Sequence, residues 1–258
     1  MKVSIVTVNR NNASGLKTTI DSIRNQTFRD YEFIITDGGS TDNSIDIIRA
    51  NTDIITDWVS ERDNGIYDGM NKSLIRCHGD YVIFMNSGDS FFSPDVLTIV
   101  FSTSSDADVI YGDVSFLKII KANPAIKSLQ DFYCTSPFCH QAVFTRTSLA
   151  KQIKFDTDYK IVADWRMFYL IFAQGGIFEY KPIVIAQCDS SGISNLDVRR
   201  NNAERIKFLK TIYPNFVLTD YQELQDIKKG TLWIYYKRLE NTPKLKYRIL
   251  KLLTLLKI

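Results

Sequence analysis

Within the first 115 residues, apolar runs of five or six residues alternate with segments of helical period. VSIVTV at 3–8, YEFII at 31–35, residues 54–59, Tyr81 to Met85 and Ala107 to Tyr111 read as strands. Near-continuous apolar runs of this length suit strands covered on both faces. Between them, Leu16, Ile20 and Ile23 recur on one helical face, and Ser40 or Thr41 caps a helix with Ile45 and Ile48 inward. A short helix follows over Tyr67 to Ile75, and Ser93-Pro94-Asp95 opens another with proline at its first position. This rhythm dictates a mostly parallel central sheet with helices on both faces. The strands finish in polar or glycine residues, so Thr7, Asn9, Asp37, Glu61 and Asp89 gather along one edge. Open α/β sheets bind ligands at that carboxyl edge. No GxGxxG follows the first strand, which argues against a dinucleotide fold.

The second half is less regular. A strand is predicted over Gln141 to Thr145, a helix over Ala163 to Ala173 ending at Gly175-Gly176, and a strand over 182–187. Asp197 to Ile212 is strongly helical, and Pro214 closes it. With 258 residues, 45% hydrophobic and 24% charged, the chain has material for one large α/β domain, assigned to 1–215. Cysteines 77, 134, 139 and 188 form no CxxC pair, and two histidines add no zinc-type spacing. Reduced thiols in a cytosolic compartment fit this pattern. Residues 3–8 are too short for a secretory h-region, and no apolar run approaches the length of a membrane span.

The net charge of +3 conceals an asymmetry. From Lys228 onward there are nine Lys or Arg residues against one acid, Glu240, while the preceding 227 residues sum to −5. A general nucleic-acid binder would not confine its basic charge to one tail. Residues 216–258 therefore read as a basic helical extension. Leu245, Ile249, Leu252 and Leu256 share one stripe of it, suited to an anionic membrane face or to a packed or dimerising helix.

Tyr81 to Met85 runs into Asn86-Ser87-Gly88-Asp89, a small-residue turn ending in a carboxylate. On its own this is a polar turn or the support for a metal ion. The surrounding segments add weight to the second reading. VSIVTVNRN at 3–11, DYEFIITDGGSTDNS at 30–44, SERDNGIYDGMNKS at 60–73 and GDYVIFMNSGD at 79–89 occur in one order and spacing. That series resembles the family-2 glycosyltransferases with a GT-A fold, especially small bacterial enzymes of polysaccharide biosynthesis. The resemblance spans roughly residues 1–190 and is strongest over the first 115. It implies a nucleotide-sugar half, 1–115, and an acceptor half, 116–215.

The resemblance also implies roles. Thr7 and Asn9 meet a nucleotide base, and Asp37 accepts a hydrogen bond from a uracil-type ring N–H, favouring UDP or dTDP. Arg62 and Lys72 stand near the donor's diphosphate, the former with a bidentate fork and the latter with a mobile charge. Asn71 helps to fix the donor-side loop. Asp89 matches the last acid of the family's DxD-like motif and holds Mg2+ or Mn2+, hard cations that prefer oxygen. Ser87 and Gly88 beside it stand where relatives are often acidic. Asp164, in Val162-Ala163-Asp164-Trp165, matches the base that deprotonates the acceptor. Asp113 closes its strand near the sugars, His140 and Gln141 line the acceptor side, and Trp165 stacks on a sugar or anchors its helix. Ser190 to Ser194 resembles a mobile loop closing near the site.

The implied reaction is a metal-assisted, inverting displacement that moves a hexosyl or N-acetylhexosaminyl unit to a glycan or lipid-linked hydroxyl. The QxxRW segment of processive relatives is absent, so one sugar per encounter is expected. A cytoplasmic location follows, at the inner membrane face if the tail docks there. Two other classes stay open: a sugar-phosphate nucleotidyltransferase, for which VNRNNASG is a poor phosphate loop, and a binding or membrane-peripheral protein without catalysis.

Overall fold

The computed structural model describes residues 2–117, 119–123, 125–126, 128–134, 137, 139–188, 197–219 and 223. Nine strands form a single sheet among these residues. They are β1 (Val3–Asn9), β2 (Tyr31–Asp37), β3 (Asp57–Ser60), β4 (Tyr81–Phe84), β5 (Ser90–Phe91), β6 (Val109–Phe116), β7 (Ile119–Lys121), β8 (Val143–Arg146) and β9 (Phe178–Cys188). The helices are α1 (Ala13–Arg24), α2 (Ser44–Ala50), α3 (Ile66–Arg76), α4 (Val96–Val100), α5 (Leu129–Cys134), α6 (Thr147–Ile153), α7 (Ala163–Ala173) and α8 (Val198–Leu209). The sheet order is β3-β2-β1-β4-β8-β6-β9-β5, with β7 paired to β6.

Strands β3, β2, β1 and β4 run parallel, as do β6 and β9; β8 lies antiparallel between the two sets. This is a mostly parallel sheet flanked by helices, the GT-A arrangement. Both β1 neighbours follow it in sequence by crossovers in opposite directions, so the order reverses at β1, the place where α/β sheets open a crevice. Every residue of β1 is buried, which explains its unbroken apolar reading. Helix α1 covers the sheet with Leu16, Thr19, Ile20 and Ile23, a stripe of helical period. Helix α7 is buried nearly all round, through Ala163, Trp165, Met167, Phe168, Tyr169 and Ile171. A helix with so little polar face must sit inside the molecule, and its amino terminus is carried with it.

Several boundaries move. Neither Ser40 nor Thr41 caps α2. The Ser40 hydroxyl donates to Asp37, Thr41 N–H donates to Asn11, and α2 begins only at Ser44. Pro94 lies two residues ahead of α4 rather than at its first position. The third strand starts at Asp57 and not Ile54, and Gln141 belongs to a 3-10 turn, His140–Ala142, before β8. Strand β6 runs on to Phe116, and Gly112 leaves room for β9 to bulge beside it. A Cβ there would lie 2.7 Å from the Ile183 carbonyl oxygen, and the β6–β9 register shifts on either side of Asp113.

The chain divides into two compact units, Met1–Arg205 and Ile206–Ile258. Residues 215–219 are helical. The stripe read at 243–258 and the loop read at 190–194 lie outside the described residues. Among the described residues no helix is long and apolar enough to cross a membrane.

Candidate active site

Parallel register builds the first part of the site. Asn9 pairs with Asp37, and Asp37 with Ser60, so three polar side chains stand abreast on adjoining strand ends. Asp37 is fully buried. Its Oδ1 accepts from Asn9 Nδ2 (2.8 Å) and Ser40 Oγ (2.5 Å). Its Oδ2 accepts from Ser60 Oγ (2.7 Å) and the backbone N–H of Ser40 (2.8 Å) and Gly39 (3.1 Å). Burial pushes the carboxyl up, but these hydrogen bonds outweigh it and hold Asp37 below the ordinary carboxylate range. The charge thus rigidifies the turn after β2. Thr7 is buried too, and its hydroxyl donates to the Met85 carbonyl (2.7 Å), tying β1 to the β4 tip.

The loop after β3 packs over that turn. Arg62 is exposed and lies against Gly39, where an added Cβ would come 3.3 Å from its Cγ. Arg10, also exposed, stands 3.9 Å from the buried Asp63 carboxylate. Lys72 reaches the same loop from α3, 2.8 Å from Glu61 and 3.1 Å from the Arg62 carbonyl. Its charge is therefore engaged by the loop itself. Sequence reasoning passed over Arg10 and Asp63. Both fall inside quoted segments, 3–11 and 60–73, where their residue types alone did not set them apart.

The β4 tip carries the second part. Gly88 adopts φ +106°, a conformation glycine takes freely, and turns the chain so that Asp89 comes back under α1. The buried Thr19 hydroxyl of α1 donates to the Asp89 carbonyl (2.6 Å) and accepts from Gly88 N–H (3.1 Å). Asn12 caps α1 through Gly15 N–H and donates to the Ser87 carbonyl (3.0 Å). One helix therefore fixes the turn twice, through its cap and through its buried face. The Asp89 side chain is buried, and its Oδ2 accepts from Gln141 Nε2 (3.3 Å).

The third part sits at the start of α7. Asp164 Oδ2 lies 3.0 Å from His140 Nδ1, and Oδ1 lies 2.8 Å from the Trp165 backbone N–H and 3.0 Å from the Tyr67 hydroxyl. On the far side of the ring, His140 Nε2 is 3.2 Å from Asn86 Nδ2. Burial raises the Asp164 carboxyl, but the His140 hydrogen bond and charge, with the Trp165 and Tyr67 bonds, outweigh it and hold it low. Burial likewise lowers the imidazole, and the same Asp164 contact outweighs it and holds His140 above its usual value. Glu204 of α8 braces this end, accepting from Ile161 N–H (2.9 Å), while the Ile161 carbonyl accepts from Tyr67 (2.7 Å).

The expected residues thus fall into groups. Asp89, Gln141, His140 and Asp164 meet through the Asn86–Asp89 turn, whereas Thr7, Asn9 and Asp37 lie on the neighbouring strands, with Arg62 in the loop after β3 and Lys72 on α3. Two assignments are corrected, those of Asp113 and Asn71, and of the two roles left open for Trp165 the packing supports the core anchor. Asp113 lies within β6 rather than at its end, buried, and it accepts from Tyr180 (2.9 Å) and Asn123 N–H (2.9 Å). Trp165 is a core anchor, 3% exposed, with its indole N–H on the Phe132 carbonyl. Asn71 does not hold the donor-side loop: its amide clasps the backbone of Phe155, donating at 2.7 Å and accepting at 2.9 Å. Tyr67 and Asn86 were missed, although both fall inside the quoted segments.

Comparisons with known proteins agree with this geometry. Residues 4–164 match the family model described as Glycosyl transferase family 2. The chain is 29% identical over 216 residues to a PGL/p-HBAD biosynthesis glycosyltransferase of Mycobacterium bovis, covering 79% of this chain and 83% of that one. An uncharacterized glycosyltransferase of Mycobacterium tuberculosis is 32% identical over 171 residues, 63% of this chain and 65% of the other. Two solved structures share the fold. The mannosyltransferase of Pyrobaculum calidifontis, in complex with GDP-Man and Mn2+, gives a TM-score of 0.64 at 16% identity, covering 99% of this chain and 80% of that one. S. aureus TarS 1-349 gives 0.62 at 18% identity, covering 74% of this chain and 61% of TarS 1-349, so this chain spans less than two thirds of it. With its GT-A sheet, its strand-end carboxylates and a match over more than half its length, the chain belongs to glycosyl transferase family 2, enzymes that transfer a sugar from a nucleoside-diphosphate donor.

Proposed function

We propose that this chain is an inverting transferase that moves one hexosyl or N-acetylhexosaminyl unit from a UDP-type sugar to a hydroxyl of a glycan or lipid-linked acceptor. The observation that carries the reading is the meeting of the Asp89 turn with the Asp164–His140 pair, joined through Gln141 and Asn86 on one sheet edge. Leaving-group stabilisation and proton removal must act on opposite sides of one anomeric carbon, and this is an edge where both are available.

On the donor side, the turn held by Asp37 and Asn9, with Thr7 behind it, forms the base pocket. Arg62 and Arg10 project beside it as exposed cations for the diphosphate, with Lys72 holding the Arg62 loop. Ser87, Gly88 and Asp89 take the phosphate end. Among the described residues no three His, Cys, Asp or Glu side chains cluster around a metal position. A single carboxylate at a turn of oxygen donors nevertheless fits an ion shared with a diphosphate. Asp89 would hold Mg2+ or Mn2+ there, and the bound ion supplies counter-charge to the leaving diphosphate. The Mn2+ complex of the Pyrobaculum calidifontis mannosyltransferase supports this choice of cofactor.

At the acceptor side, Asp164 supplies the negative charge that draws the hydroxyl proton as the new bond to the anomeric carbon forms. Direct attack on one face inverts that carbon. The basic segment 243–258 brings the enzyme to the inner face of an anionic membrane, where a lipid-linked acceptor resides. The deciding experiment screens UDP-, dTDP- and GDP-sugars for metal-dependent binding by calorimetry, then offers the best donor to glycan and lipid-linked acceptors. Transfer with inversion, lost on chelation, is the expected result; absence of nucleotide-sugar binding overturns the proposal.

A further inference from the structure

We propose that the hairpin joining β6 to β7 is a lipid-facing tip that seats the catalytic edge against an anionic bilayer surface. The inference rests on the transferase reading above and deepens it, because it names the surface from which the acceptor is taken.

Phe116, the last residue of β6, packs against the core and pairs with Ile119 across a two-residue connection. Beyond Phe116 the apolar side chains stand in solvent. Leu117 is 75% exposed, Ile119 73% and Ile120 56%, three large apolar side chains within four residues. Successive strand residues point to opposite faces, so Ile119 and Ile120 make both faces of the tip apolar. Leu117 adopts φ +49°, the left-handed region. Tight hairpin turns reach that region with asparagine, aspartate or glycine. A leucine there accepts backbone strain and gains no burial, so local folding does not account for it.

Charge points to the occupant. From Val114 to Gln130 the sequence carries Lys118, Lys121 and Lys127 and no acid, within a stretch, residues 1–227, whose net charge is −5. Lys121 is exposed at the foot of the tip. An apolar tip with cations beside it in the chain matches a headgroup layer: aliphatic side chains reach the acyl boundary, and ammonium groups meet lipid phosphates. A protein groove would cover one face of the hairpin and leave the other wet.

Register fixes where the tip stands. Ser115 of β6 pairs with Gln187 of β9, and Gln187 pairs with Ser90 of β5, the residue after Asp89. Leu117 therefore lies two residues past the level of the Asp89 turn and two strands away, about 10 Å to the side. A bilayer that receives the tip lies at the edge that holds Asp89 and Asp164, and the hydroxyl of a lipid-linked acceptor stays in that surface by its own anchor. Three side chains are too small an anchor alone, so the tip adds to the charge of the basic tail and does not replace it.

The test uses the full chain and vesicles of phosphatidylcholine with phosphatidylserine. Leu117→Trp reports insertion, through quenching of the added indole by acyl chains brominated near the headgroup, read against the wild type. A triple variant, Leu117→Asn with Ile119→Asn and Ile120→Asn, reports affinity by flotation, with UDP binding and the melting temperature as controls. Leu117→Asn alone, a residue suited to that turn, repeats the measurement without risk to the fold. We expect quenching beyond the wild type's, and a vesicle affinity for the triple variant about 10-fold or more below wild type with UDP affinity unchanged. The single variant should fall between the two. An added indole that bound vesicles do not quench overturns the inference, as do asparagine variants that float like the wild type or a wild type that does not float. Light scattering that shows a wild-type dimer lost in the triple variant assigns the tip to a second copy and also overturns it. These failures leave the transferase reading standing. A wild type whose tip inserts but that binds no nucleotide sugar removes that reading and leaves the lipid contact.

Discussion

Asp37 shows what a buried charge costs and what offsets it. Removing a carboxylate from water is unfavourable, and five hydrogen bonds from Asn9, Gly39, Ser40 and Ser60 return the loss. Because its folded pKa is depressed, its contribution is complete above the unfolded carboxylate value and is lost as pH falls through the folded one. Ser60→Ala should therefore cost about 1.5–3 kcal/mol near neutrality, and the gap to wild type should close in acid. Denaturant melts at several pH values check this; a gap that does not vary with pH would place the effect elsewhere. Asp89→Asn should lower metal-supported transfer by about 10²-fold, and unchanged metal dependence would remove its ligand role. Asp37, Asp89 and Asp164 were legible because each follows a recognisable apolar run or helix start. Tyr67 and Asn86 were not, because what singles them out is a contact with a residue far along the chain. Asp113 misled for the opposite reason: an acid after Tyr-Gly looks like a strand end until the strand proves to continue.

Element by element, the parallel half was readable down to strand direction, whereas in the second half the strands were readable and the antiparallel partners of β8 were not. Strands β1, β2 and β4 are buried apolar runs, and burial on both faces leaves a signal that needs no knowledge of neighbours. Strand β8 slots between β4 and β6 by pairing two and three residues, and nothing in Val143 to Arg146 announces either partner. Gly112 marks the bulge between β6 and β9, where Gly112→Ala would press a methyl group against the Ile183 and Lys181 carbonyls. We expect that substitution to cost about 1–3 kcal/mol in a denaturant melt, and a neutral result would mean the bulge relaxes. Helix α1 acts on the site through Thr19. Thr19→Val keeps the shape but removes the hydroxyl, so it should weaken metal-dependent donor binding while leaving metal-free nucleotide binding close to wild type. Calorimetry with and without Mn2+ separates the two; equal losses in both would point to general unfolding of the helix.

At the scale of the whole molecule, charge is divided by position: the net acid lies before residue 228 and the net base after it. An anionic membrane attracts polybasic segments by about 1 kcal/mol per residue near its surface, within a Debye length. Reversing Lys244, Lys246, Arg248 and Lys251 to Glu in the full chain should abolish sedimentation with phosphatidylserine vesicles and leave transfer to a soluble acceptor intact. Vesicle binding that survives the reversal, or that ignores salt, would count against the docking role. The catalytic edge has a different kind of economy. Asn86 and Asp89 are three residues apart on one stapled turn, so a mutation that shifts the proposed phosphate-side carboxylate also shifts the neighbour of the imidazole. Under the proposed donor side, changes of donor preference fall to the tips of β1, β2 and β3, with that turn held in place by α1.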